Sequence, residues 1–175
     1  MAKLHPEIHE NDHQQGNKNA KVALVEYGDY QCPYCGAAHP VVKKIQQELG
    51  DDLLFIFRNF PLTNIHPRAM LAAVSTEAAA RQDFYWEMHD HIFEHQDSIS
   101  YPYLTKFAED SNLNVEQFKQ DLENQELEDK VEADFESGMR SGVNRTPSFF
   151  INGIKHEGWT TYEGLITAIR AALEE

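Results

Sequence analysis

Cys32 and Cys35, the only two cysteines among 175 residues, are separated by Pro33 and Tyr34 alone and stand where the hydrophobic period changes. Upstream, Val22-Ala23-Leu24-Val25-Glu26-Tyr27 is a short apolar run rich in branched and aromatic residues, which predicts a buried strand ending at Gly28 and Asp29. Downstream, Ala38, Val41, Val42, Ile45 and Leu49 recur at helical spacing; Pro33 suits a first turn and Gly50 supplies the stop. A thiol at such a strand-to-helix junction faces the free amide hydrogens and positive dipole end of the helix, which favour the reactive thiolate. Cys32, just before the first turn, is therefore expected to be exposed, with a lowered pKa, and to act as the nucleophile. Cys35, one turn on and partly covered, is expected to be the resolving thiol. Two cysteines cannot form a disulfide framework, and a structural zinc site usually needs a second ligand pair that this chain lacks.

The flanking elements extend this unit. Leu53-Leu54-Phe55-Ile56-Phe57-Arg58-Asn59-Phe60 reads as a second buried strand, so that strand, helix and strand form a parallel crossover. Near the C-terminus, Ser148–Ile151 and Ile154–His156 flank Asn152-Gly153, the strongest short hairpin signal. Thr160-Thr161-Tyr162-Glu163 fits a capping box ahead of a last helix carrying Leu165, Ile166, Ile169 and Leu173. Residues 66–143 read as helical, with Pro67 suited to start one helix, Asn114 to cap another, and Leu127, Val131, Phe135 and Met139 forming a stripe at spacing four. The expected fold is α/β: a thioredoxin-like domain in two parts, 21–65 and 144–175, with an all-helical insertion over 66–143. Residues 1–20 form a polar leader expected to be loosely ordered.

GDYQCPYCG after a strand, FRNFPL, WEMHD within the helical part, and GVNRTPSFFING before the final helix together resemble the thioredoxin-like thiol-disulfide oxidoreductases of the DsbA family, from about Val22 to the end. Some relatives with a short insertion are domains attached to sodium/proton antiporters. The resemblance implies that Thr146-Pro147 is similar to the family's cis-proline dipeptide, facing the cysteines and offering backbone to an extended substrate. It also implies that Glu26, six residues before Cys32, is the buried acid that handles protons for the second thiol. The lysine often paired with that acid has no evident counterpart; Arg58 is the nearest candidate. Pro33 and Tyr34 tune the potential, and Tyr34, lacking the positive charge of a histidine, implies a less oxidising pair than in exported relatives.

The remaining expectations concern partners. A net charge of -14 repels nucleic-acid phosphates and anionic membranes, leaving protein or peptide thiols and disulfides as the expected partners of an expected monomer. No apolar run approaches the roughly 20 residues of a membrane span, and the polar start carries no secretory pattern. That favours the cytoplasm, although a mature exported form would read the same. No cofactor is expected beyond the redox-active pair, with glutathione admissible as a co-substrate. His91 and His95 are one helical turn apart, but acidic residues interleave with them and no functional metal is expected. Two alternatives stand beside disulfide exchange: a glutathione-dependent transferase or isomerase of the same fold, and a non-enzymatic redox-sensing binding module.

Overall fold

The structure, a computed structural model, describes residues 1–175. Its strands are β1 (His13–Gly16), β2 (Val22–Gly28), β3 (Leu53–Asn59), β4 (Ser148–Ile151) and β5 (Ile154–Lys155), and its helices α1 (Pro33–Leu49), α2 (Ala69–Ala80), α3 (Tyr85–Glu94), α4 (Tyr101–Asp110), α5 (Val115–Leu122), α6 (Gln125–Arg140) and α7 (Tyr162–Leu173). The strands form one sheet in the order β1-β3-β2-β4-β5. Only β2 and β3 run parallel, as the α1 crossover between them requires. No helix is long and apolar enough to cross a membrane.

Register assigns each side chain of the central strands to a face, because successive residues alternate. Leu24, Phe55 and Phe57 join the larger core beneath α1, α7 and the inserted helices, while Val25, Tyr27, Leu54 and Ile56 belong to a smaller core on the opposite face. Cys32 and Cys35 lie in the larger core.

The leader departs from expectation. Residues 1–20 are built into the sheet: β1 pairs antiparallel with β3, and Lys3 bridges to Ile154 at the other edge. Leu4 is buried in the smaller core, and Ile8 packs against it. An apolar sheet face must be covered, and this segment shares the task with α6. Its polar residues are used as well, since the buried Arg58 takes the carbonyls of Pro6 and Glu7 and the carboxylate of Asp12.

Smaller differences have equally local causes. Asn114 caps α5 as expected, accepting from Gln117 N–H at 3.0 Å. The cap of α7 is Thr161, accepting from Gly164 N–H, so Glu163 falls one residue short of the capping-box position. The first inserted helix starts at Ala69 rather than at Pro67. Along α6 a strict spacing of four drifts about 40° per step against 3.6 residues per turn. Leu127 and Val131 are accordingly buried, whereas Met139 reaches solvent at 60% exposure. The hairpin turn forms at Asn152-Gly153 with φ of 49° and 81°, the left-handed pair that this dipeptide tolerates.

Candidate active site

Cys32 is the N-cap of α1 and Pro33 occupies the first turn. The thiol is not exposed as expected: Cys32 retains only 3% of its surface, because the segment before β4 folds over it and brings the Thr146 carbonyl to 3.8 Å from Sγ. The Thr146–Pro147 peptide bond is cis. Cys35 is fully buried, with Asp29 N–H donating to its Sγ at 3.4 Å. Both cysteines are free thiols.

The two sulfurs are driven apart in acidity. Cys32 is pulled from 9.0 down to about 5, first by a hydrogen bond from the Cys35 thiol, then by the Thr146 side chain and by the amide groups of Cys35 and Tyr34, against the opposing cost of burial. Thr146 Oγ1 is buried without another partner, which leaves its hydroxyl free to serve the thiolate. Burial, foremost, and the neighbouring charges push Cys35 well above the usual thiol range. Near neutrality the pair is one thiolate and one thiol.

Glu26 supplies the third group. It is 2% exposed, and register places it between Phe57 on β3 and Phe149 on β4, so no polar neighbour reaches it across the sheet. Its Oε2 has no hydrogen-bond partner. Burial, and secondarily the charge on Cys32, raise it from 4.5 to about 8. Arg58 is not its counter-ion: it pairs with Tyr27 in the register and therefore projects from the opposite face, where it binds Tyr27 Oη at 2.8 Å and Asp12 at 2.9 Å.

Three supporting residues were not anticipated. The buried Asp29 carboxylate accepts from Gln31 N–H (2.8 Å) and Leu62 N–H (2.9 Å) and bonds His66 Nδ1 (2.7 Å), joining the cysteine loop to the chain after β3. The bond to Gln31, two residues on, is an Asx turn that the local sequence carried. Gln96 Nε2 donates to the carbonyls of Tyr30 and Cys32, both at 2.9 Å, from far along the chain. Gly36 makes room for it: a Cβ there would lie 2.1 Å from Gln96 Oε1. Outside, Tyr34 (76% exposed) and Trp159 (80% exposed) border an open groove lined by Thr146 and Pro147. On α3, His91 Nε2 bonds Tyr103 Oη and His95 Nδ1 bonds the His91 carbonyl.

Comparison with known proteins agrees with this geometry. The family model described as Thioredoxin matches residues 9–171. The chain is 38% identical over 170 residues to a Na(+)/H(+) antiporter NhaA 1 of Mycolicibacterium vanbaalenii, covering 96% of this chain and 28% of that protein. It is 37% identical over 161 residues to a Na(+)/H(+) antiporter NhaA 3 of Salinispora tropica, covering 92% and 24% respectively. The chain thus spans about a quarter of the length of these curated relatives. Among solved structures, oxidised BdbD from Bacillus subtilis superposes with a TM-score of 0.83 at 25% identity, over 93% of this chain and 92% of that one. Wolbachia pipientis alpha-DsbA1 also gives 0.83, at 26% identity over 95% and 93%.

Proposed function

Because the chain belongs to the thioredoxin family, with DsbA-type proteins as structural neighbours, we propose that it is a thiol-disulfide oxidoreductase working through a mixed disulfide on Cys32 that Cys35 resolves. The observation that carries this reading is the geometry of the pair, with Cys32 at the N-cap of α1 and its Sγ 3.8 Å from the Thr146 carbonyl, Cys35 buried one turn on, and a buried Glu26 oxygen without a partner; the acidities of the two sulfurs split accordingly, Cys32 falling to about 5 and Cys35 rising.

In the reductive direction, the Cys32 thiolate attacks one sulfur of a substrate disulfide, forms the mixed disulfide and expels the other sulfur as a thiolate. Cys35 then loses its proton to the ionised form of Glu26, a minority near pH 7 because the group sits at about 8, and attacks Cys32 Sγ; the Cys32–Cys35 disulfide forms and the second substrate thiolate leaves. The protein is oxidised by two electrons and the substrate reduced by two. Oxidation of a substrate dithiol is the reverse, with Glu26 returning the proton. Direction follows the potential of the pair against its surroundings. Thr146 and Pro147 offer backbone to an extended peptide beside Cys32, in the manner of an added strand. A protein or peptide thiol is therefore the substrate class, with glutathione as a small co-substrate. The buried second thiol favours exchange over a transferase reaction, which needs no resolving sulfur.

Alkylation of the reduced protein at pH 7 tests the assignment. Cys32 reacts first, and Cys35→Ser accumulates a mixed disulfide with glutathione at Cys32 by mass spectrometry. Faster modification of Cys35, or no trapped adduct, overturns it.

A further inference from the structure

A cluster of potential ligands lies one helical turn beyond Cys35, outside the thiol chemistry. We propose that His39, His89 and Asp90, joined by Glu94, form a binding site for one divalent transition-metal ion of the zinc class.

The geometry carries this. One ligand atom from each of His39, His89 and Asp90 lies within 4.8 Å of the others. His39 Nε2 is 3.7 Å from Asp90 Oδ1 and 3.4 Å from Glu94 Oε2. Donor atoms around a tetrahedral zinc ion, each roughly 2.0–2.2 Å from the metal, stand roughly 3.3 Å apart, so the two His39 separations need little closing, while the wider spacing within the cluster, up to 4.8 Å, must contract around the ion. Asp90 Oδ1 is buried and has no hydrogen-bond partner, an acceptor left open toward His39. The other oxygen, Oδ2, is held by Lys43 Nζ at 2.7 Å, which orients the carboxylate without occupying the free atom.

The ligand types fit as well. Imidazole and carboxylate together suit zinc and its neighbours, and histidine ligates as the neutral ring. Tyr30 Oη bonds His89 Nδ1 at 2.7 Å and fixes that ring, as an outer partner does for a metal-binding histidine. A surface groove along Gly36, Pro40 and Lys43 reaches His39 and Glu94 and provides an entry path. His39 belongs to α1 and the other three residues to α3, so a bound ion would cross-link the cysteine helix to the helical insertion. The histidine spacing in sequence drew attention to His91 and His95, where no functional metal was expected, and the cluster of His39, His89 and Asp90 does not include them.

The test uses the full chain without an affinity tag, in its disulfide form so that the thiols cannot bind metal. Zn²⁺ titration against a chromophoric indicator is expected to show one ion per chain, and Co²⁺ to give the visible absorption of a tetrahedral site. His39→Gln and Asp90→Asn are each expected to weaken binding at least tenfold and to abolish the Co²⁺ band, while His9→Gln in the N-terminal segment leaves both unchanged. Zn²⁺ should raise the melting temperature of the unmodified protein and not of the two site variants. If His39→Gln does not fold, the near-isosteric Asp90→Asn alone decides. Unchanged affinity in Asp90→Asn, or binding lost in His9→Gln, overturns the proposal.

Discussion

Glu26 and Glu77 are both glutamates almost wholly removed from water, at 2% and 5% exposure, yet their acidities move in opposite directions. Glu77, on α2, has company: its oxygens bond His13 Nε2 at 2.9 Å and Asn59 Nδ2 at 3.0 Å, with Lys130 Nζ at 3.6 Å. Those partners outweigh the cost of burial and lower its pKa. Glu26 has aromatic neighbours across the sheet and an oxygen without a partner, and it rises to about 8. Burial alone therefore does not decide whether a carboxyl is held ionised or kept ready to exchange a proton; the partners do. The region around Glu77, Asn59, Asp134, Lys130, Arg58 and Asp12 holds the leader, the sheet and α6 together. The region around Glu26 is left incomplete, and an incomplete site can change its protonation state during a reaction.

The contrast is broken most severely at Arg58, which is 1% exposed and paired with the equally buried Asp12. Arg58→Met should destabilise the protein by about 3–5 kcal/mol in urea unfolding, since it strands the Asp12 carboxylate without its cation. The rate of Cys32 alkylation in the folded fraction should stay unchanged, because the opposite sheet face is untouched. A stable variant with altered thiol reactivity would contradict the separation of the two regions.

Glu26→Gln should act the other way, slowing thiol exchange on the order of a hundredfold near pH 7 by removing the proton acceptor. Its effect on stability depends on pH. Glu26 binds its proton more tightly when folded, so the stability it contributes is fully present below pH 4.5 and is lost as pH rises through about 8. Cys32 has the opposite sign: its lowered value gives stability present above pH 9.0 and lost as pH falls through about 5. The two slopes offset each other in the reduced protein. In the Cys32→Ser background the opposing Cys32 slope is gone, and the difference in stability between Cys32→Ser with and without Glu26→Gln isolates the Glu26 contribution: Glu26→Gln should gain on the order of a few kcal/mol at pH 9 and little below pH 4.5. A stability difference between the two variants that does not change with pH would mean that Glu26 is not the buried acid described.

A smaller effect is expected at Gln96. Gln96→Ala removes two hydrogen bonds to the Tyr30 and Cys32 carbonyls and should cost about 1–2 kcal/mol. Thermal melts check the magnitude, and faster hydrogen exchange confined to the start of α1 would sharpen the view that Gln96 holds this loop rather than the core.

Whatever depends on a few consecutive residues was legible in the chain itself. The Cys32–Cys35 pair at a strand-to-helix change, the Asn152-Gly153 turn and the Asn114 cap each follow from local dihedral preference, period and hydrogen bonding, and each stands where expected. The proximity of Thr146 to Cys32 is a long-range contact, and only resemblance brought the two together at the sequence level. Tertiary structure alone settled the rest. Whether Arg58 or Phe57 lies beside Glu26 is a matter of one residue of register, which sends a side chain to one sheet face or the other. The leader looked too polar to pack, yet its polar groups are matched to a buried arginine about 50 residues away, with separations of 46, 51 and 52 to Asp12, Glu7 and Pro6. Gln96 and the cluster of His39, His89 and Asp90 likewise arise only when α1 and α3 are brought together. Sequence determined where the reactive sulfurs sit and which elements carry them. Folding decided which charges found partners, because that depends on groups distant along the chain meeting in a medium that penalises any charge left alone.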